Sequence, residues 1–168
     1  MPADSNDPST PAGERRTTVR RVIHAPRADV YRAFLDPDVV AEWLPPDGMT
    51  GHVHRFDPRE GGVFRVSLTY HDVADSPAGA GGKTTEDTDT TRGRFVTLVP
   101  DERIVQVVEF DSDEPGFAGE MLITVTLADI DDGTEVTYRC ENIPEGIRPE
   151  DNETGCRSSL QNLAALLE

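Results

Sequence analysis

Phe64, Val66, Leu68 and Tyr70 fall on one side of an extended chain, and Arg65, Ser67 and Thr69 on the other. This alternation predicts a strand with one wet side and one apolar, aromatic side, as in an antiparallel sheet. The run Asp57-Pro58-Arg59-Glu60-Gly61-Gly62 just before it supplies a turn. The same period of two recurs along the chain and predicts seven strands, over residues 17–23, 49–57, 62–71, 93–99, 103–110, 120–128 and 134–141. Pro100-Asp101-Glu102 and Asp131-Asp132-Gly133 read as hairpin turns between the last of them.

The period changes in three places. Pro26 suits a first helical turn, and Val30, Tyr31, Phe34 and Leu35 recur at helical spacing until Asp36-Pro37 stops the helix. Asp36 is placed to cap a short second helix over residues 38–43, closed by Leu44-Pro45-Pro46. After Ile143-Pro144, Cys156, Leu160, Leu163 and Leu167 form the inner stripe of a long C-terminal helix. Residues 72–91 are a polar insert without periodicity, containing Gly79-Ala80-Gly81-Gly82, and are predicted to be a mobile loop.

These elements give an α+β fold: a curved seven-stranded antiparallel sheet wrapped around the long C-terminal helix, with two short helices after the first strand. The last helix is the only element long enough to cover the sheet's apolar face. A strongly curved sheet closed over one helix leaves a gap lined by its aromatic side. Residues 17–168 therefore read as a single domain, preceded by a disordered acidic tail over residues 1–16 that is rich in Pro, Ser, Asp and Thr.

Charge narrows the partners. Lys and Arg total 16 against 32 Asp and Glu, a net charge of -16. Such a surface argues against nucleic acid and anionic membranes. Two explanations stay open: a solvated acidic surface from a GC-rich genome, and adaptation to high salt, where counter-ions screen carboxylate repulsion. Lys83 is the only lysine; every other base is arginine. No apolar run approaches the ~18 residues of a membrane span, so a cytoplasmic protein is expected. The apolar positions are accounted for by one core, which implies a monomer or weak dimer. Cys140 shares a strand face with Val136 and Tyr138, and Cys156 lies on the helical stripe, so both are expected to be buried, reduced thiols.

The order and spacing of several short motifs resemble the SRPBCC (START-like, helix-grip) superfamily, and within it the group homologous to the activator of heat-shock protein 90 ATPase. The landmarks are Ala25-Pro26, Val30-Tyr31-Arg32-Ala33, Asp36-Pro37, Trp43, the Asp57–Gly62 run, Gly93, Pro100-Asp101-Glu102-Arg103-Ile104, Gly133-Thr134, and Gly155 with Leu160 and Leu163. The resemblance spans roughly residues 17–168. It implies a helix-grip fold with a hydrophobic cavity, used across the superfamily for lipids, polyketides and other apolar molecules. The sequence departs from the group's pattern at Cys156, where Trp is usual, at Asn152, where His is common, at Thr97, where Glu is frequent, and at the less aromatic stretch Gln106-Val107-Val108. These changes imply a cavity that is roomier near the helix start and more polar near Gln106.

The expected pocket lining is Trp43, Phe56, Phe64, Tyr70, Phe95, Gln106, Phe110, Met121, Tyr138, Cys156 and Leu160, with Tyr70 and Tyr138 able to offer hydroxyl groups. Asp57 and Arg59, two apart in an extended segment, either anchor a ligand or pair to brace the Gly61-Gly62 bend. His52 and His54 face one way and, with His71 or Asp57, could approach a metal. No third ligand is identifiable from the sequence, so no metal and no cofactor are assigned. Glu109 sits in a strand pattern that hints at partial burial. No catalytic constellation is found: neither a G-x-S-x-G nor an H-E-x-x-H motif, nor a glycine-rich phosphate loop. Binding of a small hydrophobic molecule is therefore the first expectation. A cyclase or dehydratase using Gln106, Tyr70, Tyr138 and Arg59 is the second. A chaperone-associated interaction module ranks third, because the activator that names the group works beside a second domain for which this chain has no room.

Overall fold

The computed structural model describes residues 15–168. Its seven strands are β1 (Arg16–Ile23), β2 (Met49–Phe56), β3 (Val63–Tyr70), β4 (Thr88–Val99), β5 (Arg103–Phe110), β6 (Met121–Ile130) and β7 (Gly133–Glu141). Its helices are α1 (Arg27–Leu35), α2 (Pro37–Trp43) and α3 (Pro149–Leu167). The strands form one sheet in the order β1-β7-β6-β5-β4-β3-β2, and every neighbouring pair is antiparallel. The first two strands of the chain are thus the two edges, and the sheet curls into an open half-barrel around α3.

Local chemistry sets the element ends. Asp36 accepts the Asp38 backbone N–H at 3.0 Å and caps α2, with Pro37 in the first turn where its missing N–H costs nothing. Asp101 and Asp132 take left-handed backbone angles, φ 64° and 68°, in the β4–β5 and β6–β7 hairpins, a conformation that aspartate tolerates better than most residues. Along α3, Leu160, Leu163 and Ala164 are buried, and each leucine contributes about 1.5–3 kcal/mol by leaving water. On the adjacent face, the Ser159 hydroxyl donates to the Leu44 carbonyl at 2.6 Å and the Asn162 amide to the Pro45 carbonyl at 2.9 Å. These bonds tie α3 to the link between α2 and β2.

The tail ends earlier than the sequence suggests. Arg16 opens β1, and Arg15 donates to three carbonyls ahead of α3: Ile143 and Pro144, each at 2.7 Å, and Ile147. A guanidinium with a fan of donors satisfies backbone that no strand or helix reaches. The remainder of the expected tail lies outside the described residues.

The insert also departs from expectation. Thr88 to Thr91 belong to β4, so the irregular segment is shorter than residues 72–91. It contains two 3-10 turns, Val73–Asp75 and Pro77–Gly79, and an internal hydrogen-bond set. The Ser76 hydroxyl donates to the Val73 carbonyl and accepts from the Gly81 N–H, while Gly82 N–H reaches the Glu86 carbonyl.

The convex face of the sheet is charged. Arg65 pairs with Asp111 at 2.8 Å, Arg92 with Glu109 at 2.9 Å and Arg94 with Glu120 at 3.4 Å. Glu109 therefore faces outward beside Arg92, not into the core. Solvent-exposed pairs of this kind each contribute little to stability.

Candidate functional site

The concave face of the sheet, α1, α2, α3 and the β3–β4 segment enclose a cavity of about 330 Å³. That is at the lower end of the ~300–1,000 Å³ found for small-molecule sites. Strand alternation decides what faces it. On β5, Gln106, Val108 and Phe110 point inward while Val105, Val107 and Glu109 point away. On β3, Phe64, Val66, Leu68 and Tyr70 line it, as their spacing predicts.

Ten of the eleven residues expected in the lining are there. Trp43, Cys156 and Leu160 come from helices; Phe56, Phe64, Tyr70 and Gln106 from β2, β3 and β5; Phe110, Met121 and Tyr138 from β5, β6 and β7. Phe95 is the exception. It is fully buried, with ring centroids 5.5 Å from Phe56 and 5.1 Å from Phe64, and it supports these two rings from within the core. Gly93, its neighbour on the same face of β4, leaves the gap into which the Phe64 ring fits.

Asp57 and Arg59 are not part of the cavity. They form an exposed pair at 2.7 Å, where Arg59 N–H also bonds the Asp57 carbonyl and Gly62 N–H the Arg59 carbonyl. Gly61, at φ 81°, donates to the Phe95 carbonyl, and Glu60 accepts the Leu98 N–H at 3.0 Å. A Cβ on Gly62 would stand 2.0 Å from the Asp57 carbonyl oxygen. The six-residue run is a brace that stitches the β2–β3 turn onto β4.

The histidines separate into small polar contacts. A β-bulge at His54 brings its ring to 4.5 Å from His52, and its Nε2 bonds the Ser67 hydroxyl at 2.7 Å. Partial burial, His52 and Arg65 hold the His54 ring below the ordinary histidine range. His71 instead bonds Thr50 at 2.5 Å, beyond the last β2–β3 pair. No set of three metal-ligating side chains occurs among the described residues. Ser67, expected on the wet side, is covered there by His54 and by Thr90, whose hydroxyl is 2.7 Å away.

The sequence marks Lys83 only as the lone lysine and does not single out Asp89 or Phe117, yet all three line the cavity. Lys83 Nζ lies 3.0 Å from Asp89 Oδ2, and the Lys83 N–H reaches the other oxygen of that carboxylate at 2.7 Å. The ammonium sits 5.3 Å from the Phe110 ring centroid and 5.9 Å from that of Phe117. The two sulfurs stand 3.9 Å apart, Cys140 within the core and Cys156 in the cavity wall. Asn152 Oδ1 accepts the Thr17 hydroxyl at 2.6 Å and lies 3.8 Å from the Cys156 sulfur. The Cys156 thiol bonded to Cys140 holds the latter's pKa down, while that same bond and then burial raise its own.

Polarity inside the cavity is sparse. The Gln106 amide and the hydroxyls of Tyr70 and Tyr138 have no hydrogen-bond partner among the described residues, yet none is sealed off in the core. Burial, followed by Asp89 and Asp151, pushes the Tyr70 phenol up to about 12. Burial raises Tyr138 still more strongly, with Cys140 and Cys156 adding to it. A phenol is neutral when protonated, so this burial stabilises the fold fully below the ordinary value of 10.0, and the contribution is lost as pH rises from there to about 12. Alkaline titration should therefore show tyrosinate absorbance appearing together with loss of near-ultraviolet circular dichroism across that window. Of the three tyrosines Tyr31 lies outside the cavity, so ionisation of more than one tyrosine in a still-folded protein near pH 10 would contradict the burial of the Tyr70 and Tyr138 rings.

An antiparallel sheet that grips a C-terminal helix across an apolar cavity defines a START-like, helix-grip protein of the SRPBCC superfamily. Within it, the chain belongs to the family of Activator of Hsp90 ATPase homolog 1-like proteins, whose family model matches residues 24–168. A solved structure from Chromobacterium violaceum is 36% identical, covering 92% of this chain and 97% of that one with a TM-score of 0.79. Structures from Mycobacterium smegmatis (17% identity, 94% and 93% of the chains, TM-score 0.72) and Arthrobacter aurescens (16%, 93% and 87%, TM-score 0.73) share the fold. Comparison with curated proteins gave no match. The fold is commonly a ligand-binding one. No helix among the described residues is long and apolar enough to cross a membrane.

Proposed function

We propose that the protein binds a small, largely apolar molecule in the cavity between sheet and α3. One observation carries this reading: an apolar chamber holds three polar groups, on Tyr70, Gln106 and Tyr138, that no described protein group satisfies. These groups are reached from the chamber rather than sealed in the core, so they stay open to a guest or to ordered water. Binding ranks ahead of turnover because the two phenols are held neutral and, among the described residues, no histidine lines the cavity. Neutral phenols donate hydrogen bonds well but move protons poorly near neutral pH. Arg59, needed for the cyclase alternative, stands outside on the turn.

The test is titration with an uncharged, environment-sensitive naphthalene dye, followed by its fluorescence, with native mass spectrometry of the purified protein alongside. One saturable site is expected. Val108→Phe, which places a ring in the chamber from a strand whose fold it need not alter, should weaken the dye at least ~10-fold, about 1.4 kcal/mol, with unchanged far-ultraviolet circular dichroism. Equal affinity in the folded variant would place the dye elsewhere and end the proposal.

A further inference from the structure

Resting on that reading, we propose that the ligand carries a neutral carbonyl-type oxygen, a ketone, ester or amide, and that Lys83 receives it. Lys83 is the chain's only lysine, against fifteen arginines, and it is the one base placed within the cavity wall beside an acid and two aromatic rings. Its side chain is 16% exposed and that of Asp89 is 9%. An ammonium has three donors. One goes to Asp89 at 3.0 Å; among the described residues, the others face only the Phe110 and Phe117 rings. Attraction to a ring face leaves an N–H free to take an acceptor that enters the chamber.

The charges around this end fix the head group. Asp89 already neutralises Lys83, and Asp151 and Arg148 also line the cavity with opposite signs. The chain as a whole carries -16, a field that disfavours an incoming anion. A cationic head would meet the Lys83 ammonium itself. What remains unmatched is mainly donor capacity: Lys83 at one end, with the Tyr70 and Tyr138 hydroxyls and the Gln106 amide, which both donates and accepts, also open. A donor-rich, charge-balanced, otherwise apolar chamber selects a neutral molecule that brings acceptors. A hydrogen bond from a charged donor in a low-dielectric site is stronger than one between neutral groups, so Lys83 is the preferred partner.

The experiment uses four probes with one bicyclic body: naphthalene, acetylnaphthalene, naphthoate and naphthylmethylammonium, each displacing the dye above. For the native protein, acetylnaphthalene should bind about tenfold tighter than naphthalene, and neither ion should bind tighter than naphthalene. In Lys83→Met/Asp89→Asn the buried pair is removed together, and asparagine keeps an oxygen for the Lys83-position N–H that Asp89 accepts. There the ratio of acetylnaphthalene to naphthalene affinity should fall to about one. A variant-independent reading is the infrared carbonyl stretch of acetylnaphthalene bound to the native protein, which should move to lower frequency than in alkane solvent. Naphthoate as the tightest ligand, a ketone preference that survives in the double variant, or an unshifted stretch each overturns the assignment to Lys83 and leaves the cavity reading intact. Failure of all four probes to bind overturns both.

Discussion

Trp43→Ala is expected to cost about 3–5 kcal/mol of unfolding free energy, a large share of what a domain of this size has. Trp43 ends α2 and is 2% exposed. Its indole N–H donates to the Ala33 carbonyl at 2.9 Å, and its ring meets Phe34 edge-on at 4.7 Å. Its own carbonyl accepts from Asn162 of α3 at 3.4 Å. One side chain thus joins both short helices and forms part of the cavity wall. Alanine keeps the backbone carbonyl that Asn162 reaches but removes the indole from Ala33 and Phe34, and leaves a void continuous with the cavity, which the rigid sheet cannot close. Urea denaturation followed by far-ultraviolet circular dichroism measures the loss. Fluorescence cannot follow the variant, since Trp43 is the only tryptophan. That same fact makes its emission in the native protein a direct reporter of cavity occupancy. Trp43→Phe, which keeps the packing but loses the bond to Ala33, should cost less than half as much. A loss below about 1 kcal/mol for alanine would mean that the helices are not held through this ring.

Much of this architecture was legible because the sheet is half-buried on nearly every strand. Met121, Ile123, Val125 and Leu127 are all buried, while Leu122, Thr124 and Thr126 lie on the opposite side, so a period of two sufficed for β6. It failed at the start of β4, where the inward positions are Asp89 and Thr91; a strand whose core-facing residues are polar has no apolar signature to detect. For the same reason the Lys83–Asp89 pair was hidden. A lone lysine among arginines was the available signal, and only the loop geometry shows that it points inward. Of the two readings of Asp57 and Arg59, the brace is observed and the ligand anchor is not, for another reason. Sequence spacing puts them on one side of the chain but does not say whether that side meets the cavity or solvent, and the turn at Gly61 sends them outward. Phe95 shares a face with the cavity residues but lies beneath Phe56 and Phe64, a matter of depth that alternation does not encode. The approach of Cys140 to Cys156 depends on how α3 crosses β7, which no local pattern fixes.

Gly93→Ala is the second large effect, and it acts on stability and binding at once. A Cβ at this position would lie 2.3 Å from the Val107 carbonyl oxygen and 2.7 Å from Phe64 Cζ. Neither neighbour yields easily. Val107 belongs to β5, paired with β4 and β6 on either side. The Phe64 ring is held by Phe56 and Phe95, at 6.2 Å and 5.1 Å between centroids. Relief requires the β4–β5 ladder to part or the Phe64 ring to swing into the cavity. Overpacking of this kind costs about 1–3 kcal/mol, and here the upper end is expected because backbone is involved. Gly61→Ala provides the contrast: its φ of 81° imposes strain of about 1–2 kcal/mol, but nothing lies within 4 Å of the added carbon. Both variants should lose stability, yet only Gly93→Ala should also weaken the naphthalene dye, since only there does the displaced ring enter the binding space. Equal dye affinity in the two folded variants would show that Phe64 is not a wall of the site. A stronger loss in Gly93→Ala alone ties the glycine of β4 to the volume of the chamber, and so links a local absence of a side chain to what the protein can hold.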